Sequence, residues 1–257
     1  MPGPLPPIHF EAPPVPATAA YSLYSAATIF EVDGPSRHLG GVNVRPYNCD
    51  EGFGTYSALM CDPAEPAIKA AQRALPGETF EPVVVWAADE CAPDTPEGEI
   101  AARAAHTRTL HEPLLVESAF AARLLADAGA PTVVSSLAEG LGVLEEFLGE
   151  QGYNGYIHAA RRWAVSAGNL DAANVAGAQL RTKLANSWVF GGGYGSVLGA
   201  TLVATGPLYV WRNDPLNEVV TTGSHAIADL NNTVYGLSER IIVAGYECAI
   251  KAVTITP

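Results

Sequence analysis

Positive charge is scarce in this chain: 14 Lys and Arg stand against 27 Asp and Glu among 257 residues, a net charge of -13. Proteins that hold nucleic acid do so by replacing its counterions with cations, so this balance argues against a general or sequence-specific nucleic-acid-binding role. The adjacent pair Arg161 and Arg162 reads as a surface or subunit contact instead. Long apolar runs are missing too. No stretch approaches the ~20 residues of a membrane span, and the expectation is a soluble protein with no membrane partner. The opening "MPGPLPPIHFEAPPVPATAA" has neither a basic segment nor an apolar one behind it, so it is not read as a secretory signal and synthesis in the cytoplasm is expected. Cysteine is sparse. Cys49, Cys61, Cys91 and Cys248 form no C-x-x-C pair and leave three pairings open; reduced thiols are the expectation for a cytoplasmic chain, with Cys248 a small buried residue.

The signatures of catalysis are equally thin. There is no G-x-S-x-G elbow, and Ser166 and Ser224 have no local source of activation, since Ser224 beside His225 is sequence adjacency and not triad geometry. His106 and His111 are five apart, off the i,i+4 spacing of a zinc helix. Glu145 and Glu146, as helix neighbours, point in different directions, and His111 with Glu112 reads as a solvated or subunit-facing surface. His158 in "YIHAA" reads as a satisfied core or strand-end histidine, with general base the lesser alternative. We therefore expect no catalytic residue, metal site or cofactor.

One motif invites a nucleotide. In "NSWVFGGGYGSVLGATLVATGPLYVWRN", Gly191, Gly192, Gly193 and Gly195 follow an apolar run. A phosphate loop also needs a helix start, a Lys and a hydroxyl for the metal. Tyr194 stands where the Lys would be sought, and the β-branched, glycine-interrupted residues after Ser196 make a poor helix. The glycines read as a loop that needs positive φ or a close backbone approach.

What is present is ample apolar material, 48% of residues with a mean hydropathy of +0.13, enough for one large or two small cores. Seven prolines in the first sixteen residues make an extended arm. Short strands and loops follow to about residue 90. Then comes "DTPEGEIAARAAHTRTLHEPLLVESAFAARLLADAG", one long helix with Asp94 as N-cap, Glu97 closing a capping box, an i,i+4 pair of Glu99 with Arg103, and a stop at Gly129 and Pro131. Leu110, Leu114, Ala121 and Leu125 form its expected apolar stripe, and Pro113 its expected kink. "SSLAEGLGVLEEFLGEQG" reads as a second helix capped by Ser136 and facing its core with Leu137, Leu141, Leu144 and Leu148. Strands then alternate with loops, with "ATLVATGPLYVWR" broken at Gly206 and Pro207; 213–232 reads as loop, and "LSERIIVAGYECAIKAVTI" is the strongest strand signal, long enough for one extended strand or two adjacent ones. The fold class is α+β.

In this order, the segments "PEGEIAARAAHTRTLHEPLLVESAF", "AEGLGVLEEFLGEQGYNGYIHAARRWA", "LRTKLANSWVFGGGYG", "ATLVATGPLYVWRN" and "SERIIVAGYECAIKAVTI" resemble tailed-phage major capsid proteins of the Hong Kong 97 type, whose fold encapsulins share. The resemblance implies an N-terminal arm (1–35), an extended loop with peripheral strands (36–90), a spine helix (91–131), a mainly apical region (132–212) and returning peripheral strands (213–257). It implies a self-assembling icosahedral shell around a phage genome, a virion location, and no enzyme. Its partners would be further copies in hexamers and pentamers, with scaffold, portal or decoration proteins beside them. Subunit contacts are expected at Pro13 and Pro14 in the arm, at Phe53, Tyr56 and Lys69 in the loop, and at Glu117, Arg161, Arg162 and Tyr194. Some such capsids join Lys to Asn covalently; Lys69 has no identified acceptor and that chemistry is not carried over. The alternatives are a neck or tail ring protein, an encapsulin-like shell, and, of another class, a hydrolase using His158 beside the glycine loop.

Overall fold

The computed structural model describes residues 12–16, 20–32, 38–49, 52–55, 77–92, 94–177, 179–220 and 233–256. The chain opens with a single helical turn α1 (Leu23–Ala26), then β1 (Thr28–Val32), β2 (Val42–Val44), β3 (Glu78–Phe80) and β4 (Val83–Cys91). The long helix α2 (Glu97–Ala128) leads to β5 (Thr132–Val134), helix α3 (Leu137–Glu150), β6 (Tyr156–His158) and helix α4 (Trp163–Asn169). Strands β7 (Asn174–Ala176), β8 (Gln179–Arg181), β9 (Ser187–Val189), β10 (Thr201–Thr205), β11 (Leu208–Asn213), β12 (Leu216–Val220), β13 (Val234–Tyr246) and β14 (Ile250–Ile255) follow.

These make two layers. A five-stranded sheet runs β1-β11-β13-β12, with β4 on the other side of β13; a seven-stranded sheet runs β5-β14-β10-β6-β9-β8-β7. The chain passes between them after α2, at Gly206–Pro207 and at Glu247–Ala249. Two of these passes lie side by side, since Gly206 N–H donates to the Ala249 carbonyl (3.0 Å) and Glu247 N–H to that of Pro207 (2.9 Å). One apolar cluster joins α2 to the five-stranded sheet through Val116, Phe120, Leu124, Val85, Val210 and Ile242. The other sits between α3 and the seven-stranded sheet, around Leu144, Leu148, Ile157, Trp188, Leu202 and Val253.

The long helix forms where its pattern predicts, but its start and its buried face differ. Pro96, not Asp94, occupies the N-cap, with no side-chain bond; Glu97 and Glu99 in the first turn still complement the helix dipole. Gly129, at φ 64°, ends it, and the helix is continuous through Pro113. The buried residues are Ile100, Ala104, Arg108, Glu112, Val116, Glu117, Phe120, Ala121 and Leu124. Of the expected stripe only Ala121 is among them, and Leu114 is 41% exposed. Apolar positions alone misplace the stripe, because three of the buried residues, Arg108, Glu112 and Glu117, are charged. In α3 the expected cap is present: Ser136 Oγ accepts from Glu139 N–H, while the Glu139 carboxylate takes the N–H and hydroxyl of Ser135, both at 2.8 Å.

Two further expectations are corrected. Within 213–232, Leu216–Val220 is a strand, because β13 gives its backbone an antiparallel partner. The last strong strand signal forms two strands, β13 and β14, which part at Glu247–Ala249 and enter different sheets, and β11 lies beside β13 in the five-stranded one. Finally, Cys49 and Cys248 are joined in a disulfide rather than reduced, while Cys91 is a free, half-buried thiol. Cys61 lies outside the described residues.

Candidate functional site

The glycine loop docks on the long helix. A Cβ on Gly193 would sit 2.1 Å from the carbonyl oxygen of Leu114 and 2.8 Å from the N of Ser118; one on Gly192 would sit 2.6 Å from a Leu114 methyl. These glycines therefore turn the chain against α2 and hold no phosphate. Their anchor is Glu117, 1% exposed, whose carboxylate takes the Gly193 N–H (2.9 Å) and the Leu23 N–H (3.0 Å). Burial pushes this carboxyl above its ordinary range, against the pull of both N–H groups. Arg161 extends the junction, donating to the carbonyls of Phe190 (3.0 Å) and Ala20 (3.1 Å). One carboxylate thus fastens the end of the arm, the helix and the glycine loop together.

A second charged group lies one turn earlier. Glu112 is 4% exposed, which corrects its reading as a solvated residue. It pairs with Arg108, with Arg240 on β13 (3.3 Å) and with the Tyr24 hydroxyl (3.3 Å), while Arg108 also donates to Ser238 Oγ (2.9 Å). Arg212 adds a looser contact to Glu112 and a close one to Glu31. Helix α2 is thereby keyed to β13 and β11 by ion pairs and to α1 by the Tyr24 hydrogen bond. The sequence signal was Arg108 with Glu112 at i,i+4 inside a helix otherwise rich in alanine.

His158 is fully buried, and both ring nitrogens are engaged at 2.9 Å, Nδ1 with the Tyr194 hydroxyl and Nε2 with Thr205 Oγ1. Burial pushes its pKa down to about 3. It is the satisfied core histidine that the sequence favoured, and no substrate can reach it as a general base. Tyr194, expected at a subunit contact, is likewise 0% exposed, its hydroxyl spent on His158 and its pKa raised by burial and by the nearby Glu117 charge.

The other expected contacts scatter. Pro13 and Pro14 are exposed, as is Phe53 at 88%. Arg162 is exposed with its guanidinium over the Trp163 ring. Tyr56 and Lys69 lie outside the described residues. Glu117 serves within the chain rather than on its surface. What the sequence reading missed is the sheet face turned away from α2. There Trp86 is 63% exposed, Val84 47% and Phe30 43%, the last stacked on Trp211 at 5.8 Å. The strict alternation along "VVVWAADEC" was its signal, because Val85 and Ala87 point inward and their neighbours outward. Among the described residues no group of three or more His, Cys, Asp or Glu could hold a metal ion.

A long helix laid across one face of a sheet, with a second helix-and-sheet layer reached by three chain passes, defines a two-layer α+β subunit. No family model and no curated protein matches the sequence. Solved structures do match in shape over almost the whole chain. A chain from Mycobacterium phage Adephagia has 12% identity and a TM-score of 0.54, covering 96% of this chain and 93% of that one. The capsid of an empty GTA particle has 15% identity and a TM-score of 0.56, covering 96% and 100%. A chain from Microbacterium phage Oxtober96 has 10% identity and a TM-score of 0.52, covering 98% and 96%. The fold is that of Hong Kong 97-type capsid subunits, as the resemblance implied.

Proposed function

We propose that this chain is a structural subunit that assembles with copies of itself into the icosahedral shell of a tailed bacteriophage. The observation that carries the reading is the end-to-end match in shape to a capsid chain, 96% of one on 100% of the other. The surface agrees with it. An apolar sheet face carrying Trp86 and Val84, and an outward Phe53 and Tyr47 at 88% and 86% exposure, are more aromatic surface than a solitary soluble subunit leaves in water. Such residues gain by burial against another copy. The five-stranded sheet with α2 is the peripheral layer, the seven-stranded sheet with α3 and α4 the apical one, and the proline-rich start the arm. In this role the work is contact, and no catalytic group is needed; the acidic balance suits a container that does not grip its nucleic acid. Pro13, Pro14, Phe53, Tyr56, Lys69, Arg161 and Arg162 remain the proposed contacts, and hexamers and pentamers the proposed assemblies.

Electron microscopy of the purified chain, with light scattering on the same sample, tests this. Closed particles of uniform size are expected, from the chain alone or after co-expression with its phage's other head genes. Rings, or a monomer under both conditions, would overturn it.

A further inference from the structure

Cys49 and Cys248 are 199 positions apart in sequence, yet their Cα atoms lie 5.6 Å apart. Sulfur is not what brings them together. Glu247, immediately before Cys248 and 4% exposed, receives the N–H of Tyr47, the N–H of Asn48 (2.9 Å), the Asn48 side-chain amide (2.8 Å) and the Tyr209 hydroxyl (3.1 Å). Residues 47–48 are thus docked on the turn between β13 and β14 by three hydrogen bonds that involve neither cysteine. The turn itself is fixed by its two bonds to Gly206 and Pro207, and Cys248 is held at φ 67°, a left-handed conformation that non-glycine residues rarely adopt. Both cysteines are half-buried and line a cavity of about 170 Å³ with Pro46, Glu78 and Tyr246.

We propose that Glu247 is a positioning residue for oxidative closure, docking residues 47–49 so that the Cys49 and Cys248 thiols meet before any bond forms. The bridge then closes when the folded chain encounters a small disulfide oxidant such as glutathione disulfide. One protein thiolate attacks a sulfur of the oxidant and expels a glutathione thiolate; the second protein thiolate displaces the other glutathione from the mixed disulfide. Two protein thiols lose two electrons and two protons, and one disulfide becomes two thiols. Carboxylates at Glu78 and Glu247 disfavour a nearby thiolate, so the contribution of Glu247 is geometric. Electrostatics alone would predict the reverse effect of removing its charge. Closure is a property of the single folded chain, independent of assembly.

The test is oxidation of the reduced full-length protein in a glutathione redox buffer, quenched with iodoacetamide and followed by peptide mass mapping. Cys49–Cys248 should form while Cys91 and Cys61 are alkylated. Glu247→Gln should slow closure roughly tenfold or more, because an undocked pair must find each other across a long loop. Asn48→Ala, at an exposed position, removes the side-chain amide bond with the carboxylate left in place and should slow it less. Circular dichroism confirms that each variant is folded. An unchanged or faster rate in both variants, or Cys49 joined to Cys61 or Cys91, would overturn the proposal.

Discussion

Replacing Gly193 by alanine tests the docking of the glycine loop with a single methyl group. That methyl would be placed 2.1 Å from the Leu114 carbonyl oxygen, 2.8 Å from the Ser118 nitrogen and 2.9 Å from Glu117 Cβ. Two of the three neighbours are helix backbone, which cannot rotate aside as a side chain can. Relief requires the loop to lift from α2, and lifting takes the Gly193 N–H off the buried Glu117 carboxylate. Overpacking costs about 1–3 kcal/mol, and a buried carboxylate deprived of a partner about 1–3 kcal/mol more. A loss of about 3 kcal/mol or more is expected, which lowers the melting temperature by roughly 6–12 °C for a chain of this size. Gly195→Ala is the control: a Cβ there meets nothing within 4 Å, and its effect should stay within about 0.5 kcal/mol. Urea unfolding of both variants, read by tryptophan fluorescence, gives the comparison. Equal stabilities would refute the packing role assigned to these glycines.

Glu112→Leu leaves Arg108 buried and Arg240 without its carboxylate, and should cost about 3–5 kcal/mol in urea unfolding; adding Arg108→Met should recover much of the loss, and a single-variant cost below about 1 kcal/mol would show the network to be incidental. His158 gives a pH signature. Its folded pKa of about 3 lies below the ordinary imidazole value of 6.5, so between these values the unfolded chain binds more protons and stability falls as the solution is acidified. At pH 5 the expected contribution is a loss of about 2 kcal/mol relative to pH 7. His158→Gln should flatten that slope, and an imidazole resonance that titrates near neutral pH by NMR would contradict the burial.

Periodicity in the sequence located both main helices, the Ser136 cap and most strands, since each depends on neighbours within a few residues. It also favoured a core role for His158 and a close-approach role for the glycines. What it could not supply was pairing at a distance. Glu117 bonds the N–H of Leu23, 94 positions away, and Cys49 meets Cys248 across 199; no local pattern specifies either. The buried face of α2 was misplaced for a related reason: Arg108, Glu112 and Glu117 count as polar when read singly and become core residues only through their partners. The break at Gly206–Pro207 was legible as an interruption, but that it sends the chain from one sheet to the other depends on which strands accept it.

Strand β14 lies between β5 and β10, inside the seven-stranded sheet rather than at its edge. For a chain made from its N-terminus this sets a schedule. Residues 132–205 emerge from the ribosome early, yet β5 has no path to the rest of its sheet until 250–255 follow, and β4 waits similarly for β13. Pairings this distant in sequence form slowly, so both sheets stay incomplete until the last strands are made. A nascent chain is therefore exposed to premature sticking for nearly its whole length, and is relieved of it in both layers by the same few late residues.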